Sequence, residues 1–62
     1  MDATKFDRYA DLLSQMFNEY RDIMNTCPAE FKPDAIAMVD IIITALQRND
    51  RLGQLAGKGY IQ

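Results

Sequence analysis

The chain has 62 residues, 48% of them apolar, with a formal net charge of −2 and no histidine. That length allows one domain at most, and a monomer so small is marginal unless something reinforces it. A single cysteine, Cys27, excludes an intrachain disulfide, and the missing histidine removes the commonest metal ligand and general base together. Self-association is the reinforcement that remains.

Charge is unevenly placed. Through Gln47 there are four bases and eight acids, a balance of −4, whereas Arg48, Arg51 and Lys58 face only Asp50 beyond it, a balance of +2. An acidic body disfavours nucleic acid as a partner. The opening stretch MDATKFDRYADLL carries charges where a secretory signal would have its apolar core, and Asp40 interrupts the longest apolar run. These features predict a cytoplasmic protein with no membrane partner.

The first element is an amphipathic helix over about residues 4–26. Phe6, Leu13, Tyr20 and Cys27 share one heptad row, Tyr9, Met16 and Ile23 the row three further on, and Ala10, Phe17 and Met24 lie beside them. Thr4 with Asp7 resembles a capping box, and Asp2 suits the positive helix end. Arg8 and Asp11 are spaced to pair along the polar side, where Asp7, Asp11 and Asp22 read as a solvated acidic face.

A corner over 27–33 follows, bracketed by Pro28 and Pro33. Pro28 lacks an amide proton and drives Cys27 out of helical dihedrals. Phe31, the one large apolar side chain of the corner, is expected to plug the end of the helix pair.

A second helix is predicted over about residues 34–56, capped by Asp34. Its β-branched run from Val39 to Thr44 also suits a buried strand, but a lone strand has no partner in so short a chain. Ala35, Met38, Ile42, Ala45 and Leu52 fall on one face, with Ile36, Val39, Ile43 and Leu46 beside it. Ile41 and Ala37 extend the apolar surface onto the side that should be wet. One partner helix covers about a third of a helix surface, so a second partner is expected. Asp40 reads either as part of the wet side or as a polar group fixing register between subunits. Past Leu46 the pattern weakens. Either the helix runs through Gly53 to end at Gly57, or Asn49 or Asp50 breaks it before a short third turn carrying Leu52 and Leu55.

The closing stretch GQLAGKGYIQ invites comparison with a phosphate loop. Only three residues separate Gly53 from Gly57, Gly59 stands where a magnesium-binding hydroxyl should be, and no strand precedes it. It is not a Walker loop. A flexible tail over 57–62 is the plain reading. Two sharper ones are an anion site built from Arg48, Arg51, Gly57, Lys58 and Gly59, and docking of Tyr60 and Ile61 into a partner groove.

The fold expected is therefore all-α, a helical hairpin over 1–56 assembling as a homodimeric four-helix bundle or higher oligomer. Its oligomer interface is expected at Ile36, Val39, Ile42, Ile43 and Leu46. Tyr9, Met16, Tyr20, Tyr60 and Ile61 are the candidate surface for another protein, enriched in the aromatic and thioether groups that such surfaces favour. Ser14 is the only serine and has no activating base, so no catalytic constellation, metal site or cofactor is expected. The function these features imply is binding of another protein as an inhibitor, adaptor or regulator. The alternatives are an oligomer sequestering a nucleotide or other phosphate compound, and a DNA-binding regulator.

Overall fold

Two antiparallel helices joined by one tight corner make up the computed structural model, which describes residues 4–59. Helix α1 spans Thr4–Thr26, a single 3₁₀ turn spans Ala29–Phe31, and helix α2 spans Lys32–Gly57.

In α1 the row Phe6, Leu13 and Tyr20, continued just past the helix by Cys27, and the row Ala10, Phe17 and Met24 are buried or half-buried against α2. The last turn closes with the Cys27 amide donating to the Ile23 carbonyl at 2.8 Å and the Thr26 hydroxyl donating to the Asp22 carbonyl at 2.8 Å. Pro28 (φ −57°, ψ 151°) then turns the chain out of the helix. Arg8 does not reach for Asp11; its guanidinium lies over the ring of its neighbour Tyr9, 5.9 Å from the centroid.

The corner is tighter than expected. Phe31 donates its amide to the Pro28 carbonyl at 3.0 Å and the Lys32 amide bonds the Ala29 carbonyl, so the 3₁₀ turn feeds directly into α2. Asp34 is accordingly not the cap: Phe31 holds that position with no side-chain hydrogen bond, and Asp34 lies in the first turn. The reason is Pro33, which sits within the first two helical positions, where no amide is needed and its fixed φ favours the helix. Asp34 keeps a favourable place near the positive helix end.

No break occurs at Asn49, Asp50 or Gly53, so the alternative third turn does not form. The helix runs through Gly53 and Gly57 is its last residue, as expected. Just beyond it, past the C-cap Lys58, the left-handed position is taken by Gly59, whose φ is 81° and whose amide donates to the Ala56 carbonyl at 3.1 Å. Gly53 has a packing role: a Cβ built there would stand 3.1 Å from the Phe6 Cβ, so the helices approach closely at that point.

The hairpin measures 46 × 15 × 11 Å, with a radius of gyration of 14.4 Å against about 10.6 Å for a compact chain of this length. Its accessible surface is 4687 Å², where a compact monomer of this mass exposes about 4,100 Å². Among the described residues only Phe6, Ala35, Ile42 and Ala56 are buried. Two helices side by side make a seam and leave the flanks of each apolar stripe uncovered.

Candidate interaction surface

The seam sorts the apolar residues of α2 into three groups. Ala35, Ile42, Asn49 and Ala56 form the row facing α1, flanked by half-buried Met38 and Ala45 on one side and Val39, Leu46 and Gly53 on the other. Ile42 is 2% exposed, the most deeply buried large side chain among the described residues. Expected at an oligomer interface, it belongs instead to the hairpin's own core, because its row and not that of Ile43 meets α1. Of the other four interface candidates, Val39 and Leu46 are half-buried, and Ile36 and Ile43 are exposed.

Two grooves show which exposed residues share a side. One is lined by Tyr20, Ile23, Phe31, Asp34, Ala35 and Met38. Ile23 stands in the row of Tyr9 and Met16, Asp34 in the row of Ile41, and Met38 in the row of Leu52. These residues therefore lie on one side of the seam. Leu12, three residues after Tyr9 and four before Met16, joins them. The other groove, of about 490 Å³, includes Asp7, Ala10, Leu46, Asn49, Asp50 and Gln54 in its lining. Asp50 stands in the row of Ile36 and Ile43, which places both on the opposite side.

The first side is strongly apolar. Tyr9, Leu12, Met16, Ile23, Phe31, Ile41 and Leu52 are between 39% and 58% exposed, which at about 200 Å² per large side chain presents roughly 700 Å². The largest apolar patch on an ordinary monomer covers about 300–600 Å². Phe31, expected to plug the hairpin end, is 54% exposed and contributes to this face, since the 3₁₀ turn leaves its ring beside Ile23 and Met38 and not between the helices. Tyr20 is half-buried at the groove wall, whereas Tyr9 and Met16 stand open. Tyr60 and Ile61 lie outside the described residues.

Polar features are fewer. Asp40 is exposed on the side of α2 away from α1, as the wet-side reading has it. Within the hairpin, the two helices are joined by Asn49, whose side-chain amide donates to the Phe6 carbonyl at 2.9 Å. Its role was invisible in the sequence because it depends on which α1 carbonyl the fold places opposite. Arg48, Arg51 and Lys58 are exposed, but the amides of Lys58 and Gly59 already donate to the carbonyls of Gln54 and Ala56, each at 3.1 Å. Cations there act through side chains, beside a helix end that presents carbonyls. Cys27 is half-buried, with its thiol 3.9 Å from the Met24 carbonyl. Among the described residues no cluster of His, Cys, Asp and Glu forms a metal-binding group, and no helix is long and apolar enough to cross a membrane. No protein-family model, curated protein or solved structure matches the chain.

Proposed function

We propose that this chain is a non-catalytic protein-binding module, an inhibitor, adaptor or regulator, acting through the helix faces of a self-associated helical bundle. One observation carries the reading: seven large apolar side chains gather on a single side of a hairpin too thin to cover them. Transfer of such surface out of water is the dominant favourable term in association. Covering the broad side by self-association leaves Ile36 and Ile43, with Asp7 and Asp50 along the neighbouring groove, free for a second protein. Apolar anchors beside acidic groups suit a partner with a basic rim around an apolar pocket.

Two measurements test this. Molar mass in solution should exceed that of one chain at micromolar concentration; a single-chain mass at every concentration removes self-association. Immobilised protein should then retain a partner from lysate that an Ile36→Asp/Ile43→Asp variant, still associated, fails to retain. Equal retention by both forms would move the partner surface away from Ile36 and Ile43, and retention by neither would remove the protein-binding role.

A further inference from the structure

Resting on the self-association reading, we propose that the broad apolar face is covered by a second copy of this chain laid antiparallel. The two-fold axis crosses the hairpin near Met16 and Ile41, so that the open end of each copy lies on the corner end of the other.

Area supports a full partner subunit. The seven exposed side chains present roughly 700 Å², and a standard interface buries about 800 Å² on each partner. The half-buried rims of Tyr20, Met38 and Ala45 supply the remainder.

Charge decides the orientation. On α1, Lys5, Leu12 and Glu19 stand in one row along the outer edge of the face; on α2, Asp34, Ile41 and Arg48 stand in the row along the other edge. Lys5 and Arg48 lie toward the open end, Glu19 and Asp34 toward the corner. Both edges thus carry the same polarity, basic at the open end and acidic at the corner. Two copies laid parallel would gather four bases at one end and four acids at the other. Laid antiparallel about that axis, Arg48 of each copy stands opposite the partner's Asp34, and Lys5 lies over the corner half of the partner's α1, the half that holds its Glu19. Interface charges of this kind select register and orientation more than they add affinity.

The test separates face, orientation and association. Ile41→Asp places a charge in the middle of the proposed contact of both copies and should weaken association by on the order of 100-fold. Ile43→Asp, on the opposite flank, should leave it unchanged. Ile41 and Ile43 are both exposed, so helicity by circular dichroism should persist in each variant. Orientation is read by oxidation of a Lys5→Cys/Thr26→Cys variant in a Cys27→Ser background. Those positions share a row but lie roughly 31 Å apart along α1, which forbids a bond within one chain. A covalent dimer is expected from the double variant and none from either single cysteine substitution. A self-linked Lys5→Cys single variant would overturn the antiparallel arrangement while leaving self-association standing. Loss of association by Ile43→Asp but not by Ile41→Asp would overturn the choice of face. A wild-type chain that is monomeric at millimolar concentration would remove the reading on which both rest.

Discussion

Asn49 of α2 and Phe6 of α1, 43 residues apart in sequence, are joined at 2.9 Å by a side-chain amide donating to a main-chain carbonyl. Gly53, one turn further along α2, lets the Phe6 Cβ approach to within 3.1 Å of where a side chain would begin. Together they set the lateral and longitudinal fit of the open end, a polar contact for register beside a bare backbone for distance.

Replacing Asn49 with alanine removes that contact. The Phe6 carbonyl also accepts a bond within its own helix, so no buried acceptor is orphaned, and alanine is the better helix former. The expected loss is under about 1 kcal/mol in urea unfolding. Amide exchange near Phe6 and Gly53 should accelerate more than exchange near the corner; uniform exchange along the hairpin would show that the contact does not set the fit.

The two glycines inside α2 should respond with opposite signs. Gly53→Leu forces the helices apart at a point of close approach and is expected to cost about 1–3 kcal/mol. At Gly57 an added Cβ meets nothing within 4 Å. Gly57→Ala should therefore raise stability by a few tenths to about 1 kcal/mol through helix propensity and a less flexible unfolded chain. Thermal melts of both variants check the contrast.

Gly59 is a third case. At φ 81° an L side chain is strained, so Gly59→Ala should lower stability by about 1 kcal/mol while leaving the rest of the hairpin unaltered. Chemical shifts confined to the last turn of α2 would confirm a local cap. Changes spreading to the corner would refute it.

Truncation of the seam is expected to be severe. Ile42→Ala deletes the most deeply buried large side chain among the described residues and should cost about 2–4 kcal/mol, a large share of the stability of so small a domain. Far-UV circular dichroism should show loss of helix at ordinary temperature. Phe31→Ser, at a site 54% exposed, should leave helicity intact and lower association instead.

Much of the hairpin was legible. Rows of apolar residues at helical spacing and two prolines around a short corner leave little choice but two antiparallel helices. The choice between neighbouring rows was not legible. Phe6, Leu13 and Tyr20 differ from Tyr9, Met16 and Ile23 by less than a right angle around α1, and both rows are apolar. Only the position of α2 shows that the first turns inward. The same ambiguity set Ile42 beside Ile43 in the expected oligomer interface, although the two fall on neighbouring faces. Asn49 read either as a position inside a continuous helix or as a breaker, and never as a contact, because its partner, a backbone carbonyl, leaves no trace in side-chain pattern. Pro33 was read as a flank and not as an early helical position, which shifted the start of α2.

The corner lies near the midpoint of the chain, and this orders the assembly of the hairpin. Bringing Tyr20 to Met38 closes a short loop, whereas bringing Phe6 to Asn49 closes one more than twice as long. Zippering from the corner therefore costs least entropy at each step, and local contacts of this kind favour rapid folding. Fraying in the finished hairpin should begin at the far tip, where Asn49 and Gly53 form the final clasp.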